Sequence, residues 1–178
     1  MPKLQLQDFY FGVAISALFK YNQDASPSLI DQVDDVGQFW NIATNTSEDF
    51  QVYIKYTAKQ RHIENPNQTS WSFPLTDKEK ARIDVALQKP EPLFIILVCG
   101  LKGFNNSEIA VLTSDDYKKI ANRTNIYISV RKDTEKSRPR NFDVQLDRKR
   151  SNCFPIERNR IEKKLTDLIK TTVKSVTI

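Results

Sequence analysis

Lys55 is the residue whose setting most invites a chemical reading. It lies in FQVYIKYT, Phe50–Thr57, where Val52, Ile54 and Tyr56 fall on one side of a period-two pattern. Gln51, Tyr53, Lys55 and Thr57 fall on the other. The alternation predicts a strand with a buried face and a polar face, the lysine on the latter. A second feature is the basic run from Arg131 to Arg150. It holds Arg131, Lys132, Lys136, Arg138, Arg140, Arg148, Lys149 and Arg150 against four acids. Such a run binds phosphates by charge and counterion release without reading sequence. Arg158, Arg160, Lys163 and Lys164 extend it if they lie on one helix face.

Composition bounds what these residues can serve. The 178 residues suit one domain with a sizeable core. Residues 1–75 carry 5 Lys/Arg against 8 Asp/Glu, and residues 76–178 carry 22 against 14, so a net −3 precedes a net +8. The basic half favours an acidic partner, of which nucleic acid is the commonest. One histidine, His62, excludes His-rich metal clusters and leaves no Ser-His-Asp or Cys-His arrangement in view. Cys99 and Cys153 have neither zinc-site nor disulfide-framework spacing, which fits a reducing, cytoplasmic setting. Four glycines and no Gly-x-x-x-x-Gly-Lys-Ser/Thr run argue against a phosphate loop. No apolar run reaches membrane-spanning length. FYFGVAISALF lacks the basic flank and small-residue cleavage site of a leader.

The positioning elements follow from periodicity and punctuation. Residues 6–21 read as a helix with a wide apolar face, and 28–33 as a short strand. Residues 38–44 and 50–57 read as a hairpin across Asn45–Asp49. Residues 62–70 are polar enough to read as loop. Thr76-Asp-Lys-Glu79 matches a capping box and predicts a helix to about Gln88, stopped by Lys89-Pro-Glu-Pro92. Leu93–Cys99 is apolar on both faces, the mark of a central strand with parallel pairing. Strands at 108–113, 125–132 and 142–146, a short helix capped by Ser114, and a last helix from Ile156 to about Val173 complete the order. The expected fold is α/β, a single mixed sheet flanked by helices in one domain. Residues 1–99 would be its core and 100–178 a basic, β-rich extension.

An early helix, a hairpin ending in a lysine-bearing strand, a helix, then a buried strand: this order resembles the PD-(D/E)xK, or restriction-endonuclease-like, superfamily over residues 6–99. The resemblance implies an Asp on one hairpin strand, an acid two positions before the lysine, Mg²⁺ held between them, and a lysine that positions or activates the attacking water. Residue by residue, Lys55 takes the lysine's place, Tyr53 stands where the second acid belongs, and Asn41 falls near the first. Neither Tyr nor Asn supplies an anionic oxygen for Mg²⁺. Asp34, Asp35, Glu48 and Asp49 are the nearby carboxylates that would have to substitute.

Three functions remain open at this point. One is a non-cleaving, nuclease-like domain that binds nucleic acid, in the bacterial or phage defence setting the resemblance implies. Another is a Mg²⁺-dependent DNA endonuclease with a rearranged site. The third is a protein-interaction or immunity-type protein whose basic half meets an acidic partner.

Overall fold

The computed structural model describes residues 5–23, 27–32, 39–45, 49–62, 65–101, 107–132, 134, 139–147, 152–165 and 167–168. Sheet A has five strands in chain order: β1 (Ser28–Gln32), β2 (Phe39–Ala43), β3 (Phe50–Thr57), β5 (Leu93–Cys99) and β6 (Glu108–Thr113). Only β3 and β5 pair in parallel, with Lys55 opposite Leu97; the other pairs are antiparallel. All seven residues of β5 are buried, as a doubly covered central strand requires. Each such side chain contributes about 1.5–3 kcal/mol when withdrawn from water.

One face of sheet A is covered by α1 (Leu6–Tyr21), whose Tyr10, Phe11, Ala14 and Leu18 meet Val52, Ile54, Ile96 and Val98. Asn22 closes the end of α1 by donating to the Leu18 carbonyl, 2.8 Å away. Its Oδ1 accepts from the Leu165 backbone N–H at 3.0 Å, drawing the C-terminal segment onto the same face. At the end of β5, Gly100 lies so close to β3 that an added Cβ would sit 2.6 Å from the Thr57 carbonyl oxygen and 2.9 Å from Ala58 Cα.

The other face of sheet A is covered by a second sheet, which corrects the single-sheet expectation. Sheet B is antiparallel, in the order β4 (Gln68–Pro74), β7 (Asn125–Arg131), β8 (Asn141–Gln145), β9 (Cys153–Glu157). Trp71, Phe73, Ile126, Ile128, Phe142, Val144 and Ile156 face Tyr53, Ile95 and Leu97 across a shared core. Helices α2 (Asp77–Ala86) and α3 (Ser114–Lys118) seal this layer with Ile83 and Tyr117. The sheets share the chain across residue 99: β4 pairs with β7 in sheet B, and β6 pairs with β5 in sheet A.

Three local expectations change. Residues 68–70, expected at the end of a loop, instead open β4 (Gln68–Pro74). Ile156 lies in β9 rather than opening a helix, and a 3-10 turn follows at Arg160–Glu162. Pro155 is tolerated because β9 is an edge strand that pairs with β8 alone. The cap of α3 is Thr113, whose hydroxyl accepts from the Asp116 N–H, while Ser114 exchanges hydrogen bonds with the Leu93 backbone. No helix among the described residues is long and apolar enough to cross a membrane.

Candidate functional site

Strand pleating puts Tyr53 and Lys55 on the side of β3 that faces sheet B and α2, so their face is an interior one. Tyr53 has no exposed surface and packs against Phe39, with ring centroids 4.7 Å apart. The Tyr53 hydroxyl donates to Glu79 Oε1 at 2.7 Å, and the Lys55 ammonium reaches the same oxygen at 2.5 Å. Glu79 Oε2 accepts from the Thr76 backbone N–H at 2.6 Å and from its hydroxyl at 2.9 Å. Thr76 Oγ1 in turn accepts from the Glu79 N–H, completing the capping box of α2. Both charged side chains of the Lys55–Glu79 pair are only 14% exposed. Burial alone would raise the Glu79 carboxyl. The hydrogen bonds from Lys55, Thr76 and Tyr53 outweigh it and hold the group below its ordinary value.

The other residues expected near Lys55 lie apart from it. Asn41 pairs with Gln51, four strand positions from Lys55 and so about 13 Å along the sheet; Phe39 occupies the place opposite Tyr53. Asp49 is exposed and accepts from the Thr44 N–H at 2.9 Å, closing the hairpin loop. Asp34, Asp35 and Glu48 lie outside the described residues. The described surroundings of Lys55 do not fit Mg²⁺. The one carboxylate beside it among the described residues has both oxygens engaged by four donors, one of them an ammonium, whereas Mg²⁺ needs free anionic oxygens in octahedral array.

The basic run divides. Arg131 and Lys132 are exposed at the end of β7, where the Lys132 N–H donates to the Asn67 carbonyl at 2.9 Å, and Arg140 is exposed before β8. Lys136, Arg138, Arg148, Lys149 and Arg150 lie outside the described residues. The proposed extension turns inward. Arg158 makes a two-pronged pair with Glu108, and Arg160 pairs with Asp116. These arginine side chains are 10% and 17% exposed, and they bind the segment after β9 to β6 and α3. Lys163 pairs with Glu157.

Two groups stand outside the sequence reading. Glu79 is legible as a helix cap, but its contact with a residue 24 positions earlier needs the tertiary fold. Arg61 and Arg123 both lie against Tyr127, whose outward place in the alternation of β7 is the signal that could have found them. No protein-family model, curated protein or solved structure matches this chain.

Proposed function

We propose that this chain is a nucleic-acid-binding, nuclease-like domain that does not cleave. The observation that carries the reading is the state of Lys55. In the resemblance, the lysine on this strand stands beside two metal-holding acids. Here its ammonium is held by a carboxylate whose lone pairs are already taken by Tyr53 and Thr76. The nuclease-like part draws support from the order within sheet A: α1, the antiparallel β1-β2-β3, then α2, then β5 parallel to β3. The binding part draws support from Arg131, Lys132 and Arg140, three exposed cations that make no salt bridge among the described residues.

The test is an anisotropy titration of labelled DNA at several salt concentrations, with and without Mg²⁺, the products resolved on a gel. The expected result is salt-sensitive affinity and intact DNA. With one phosphate per described cation, log K should fall with log salt at a slope near −3 on duplex, and replacing Arg131 and Lys132 with Ala should remove about two units of it. Affinity indifferent to salt, or none, overturns the binding reading. Mg²⁺-dependent fragments that disappear in Lys55→Ala overturn the non-cleaving one.

A further inference from the structure

The outer face of sheet B carries a site that the charge run alone does not explain. Register places Gln68 opposite Arg131, Ser70 opposite Ser129 and Ser72 opposite Tyr127, all on the face turned away from the core. Ser129 is also opposite Asp143, and Gln145 is opposite Cys153 on the next pair. All of these but Arg131 and Ser72 line a groove of about 290 Å³, together with Arg61 and Asn65. Its volume suits a small planar group.

Three features of the groove point to one occupant. The first is the stacking column. The Arg61 guanidinium lies 4.6 Å and that of Arg123 5.3 Å from the Tyr127 ring centre. Both arginines are tethered by their backbones: the Arg61 N–H donates to the Ser70 carbonyl at 2.7 Å, and that of Arg123 to Ile120 at 3.0 Å. Of these three side chains Arg61 and Tyr127 line the groove, and the planar surface their pair turns into it is of the kind that holds unpaired bases. The second is spare hydrogen-bonding capacity. Among the described residues, the Asp143 carboxylate and the side-chain amides of Gln68 and Gln145 make no hydrogen bond to protein. The third is charge. Arg131 and Lys132 stand exposed at one end of the groove, where a strand's phosphates would leave it.

We infer that this face binds a single-stranded nucleic acid by one unpaired base, laid in the groove against the Arg61–Tyr127 pair with its polar edge against Asp143 and Gln145. A carboxylate with both oxygens free matches two adjacent N–H donors. Among the bases, guanine alone carries such a pair on its pairing edge, so guanine is the preferred occupant. In a duplex that edge is already paired and the faces already stacked, so the face selects single strands. Burial raises the Asp143 carboxyl from its ordinary value, partly offset by the nearby charge of Arg131. The inference rests on the nucleic-acid reading for its phosphate contacts and adds to it the strand state and the base.

The experiment compares three labelled probes by anisotropy: a twelve-nucleotide oligothymidine, the same strand with one central guanine, and its duplex with the complementary strand. The guanine strand should bind tightest and the duplex weakest. Tyr127→Ala should weaken the guanine strand roughly 5- to 150-fold, the worth of one stacked base, without changing the salt slope or the duplex affinity. Tyr127→Phe should keep the affinity. Asp143→Asn, which removes no packing volume, should erase the difference between the two strands. Equal affinity for strand and duplex, unmoved by Tyr127→Ala but still salt-sensitive, overturns this inference and leaves the proposed function standing. No binding of any probe overturns both. Guanosine monophosphate binding as tightly as the strand overturns the strand as occupant in favour of a free nucleotide.

Discussion

Glu79 should matter more to stability than the lysine it holds. Glu79→Ala removes the acceptor of a Tyr53 hydroxyl that sits in a fully buried residue, which costs about 1–3 kcal/mol. It also removes half of the α2 capping box, about 1 kcal/mol, and a negative charge in the helix's first turn, about 0.3–1 kcal/mol. The stranded Lys55 ammonium adds less than the 3–5 kcal/mol of a fully buried broken pair, because its stem lets the charge reach toward water. Part of the helix-end gain is shared with the cap, so a total of about 3 kcal/mol is expected. Lys55→Met, by contrast, leaves Glu79 with its Tyr53 and Thr76 donors and should cost about 1 kcal/mol. For a chain of this size these values correspond to losses of roughly 6–12 °C and 2–4 °C in Tm.

The assay is urea unfolding followed by tryptophan fluorescence, for which the fully buried Trp71 is an internal reporter. The double variant should be no worse than Glu79→Ala alone, since it no longer strands a charge. The reasoning fails if Lys55→Met destabilises as much as Glu79→Ala, or if Glu79→Ala costs less than about 1 kcal/mol.

Gly100→Ala should destabilise by about 2–4 kcal/mol in the same urea assay, because the added methyl meets the backbone of Thr57 and Ala58 and displaces the carbonyl that accepts the Trp71 indole N–H at 2.9 Å. Gly12→Ala, with nothing within 4 Å of the new Cβ in the middle of α1, should stabilise by about 0.5–1 kcal/mol. Glu79 and Asp116 are both held below their ordinary values, 4.5 and 3.8, so the stability they contribute is present above those values and lost as pH falls through their folded-state values. An acid titration of the urea midpoint should show this loss, with a smaller drop in Glu79→Gln. Asp143 has the opposite sign: raised in the folded state, it subtracts stability once ionised, so Asp143→Asn should raise the midpoint at neutral pH and leave it unchanged at a pH acid enough to protonate the carboxylate.

Much of the architecture was legible where local signals are strong. The run Leu93–Cys99 announced a strand covered on both faces, and Thr76 with Glu79 announced the start of α2; both are as expected. What was hidden depends on partners distant in sequence. Strand β4 has only Trp71 and Phe73 as strongly apolar inward residues, set among Ser and Thr and ended by Pro74, so its pattern resembles a loop until β7 pairs with it. In β9 the proline reads as a helix start, because an edge position is invisible before the sheet is assembled. Period-two alternation states that a strand has a core face, but not which sheet it joins. For that reason the chain was expected to form one sheet and forms two. The same limit applies to Lys55: polarity placed it correctly opposite Val52 and Ile54, but sheet B and α2 convert that polar face into an interior one.

That conversion explains why the lysine needs Glu79. The N-terminal end of α2 arrives beside β3 with its unpaired N–H groups and the positive end of its dipole. A lysine directed at this place without an acid would meet positive potential in a region only 14% open to water. Glu79 faces both problems at once: one oxygen takes the Thr76 N–H and hydroxyl, and the other takes Lys55 and Tyr53. A carboxylate so placed is strongly ionised and fully committed, which suits joining a strand to a helix and does not suit holding a metal. Among the described residues, the outer face of sheet B instead carries polar side chains that make no hydrogen bond to protein, at Asp143, Gln68 and Gln145. The side of the molecule with spare hydrogen-bonding capacity, arginines against a tyrosine ring and exposed cations is therefore the one opposite the buried lysine. If recognition of an acidic polymer occurs, the chemistry favours that outer face, and Lys55→Met should leave it intact while Tyr127→Ala does not.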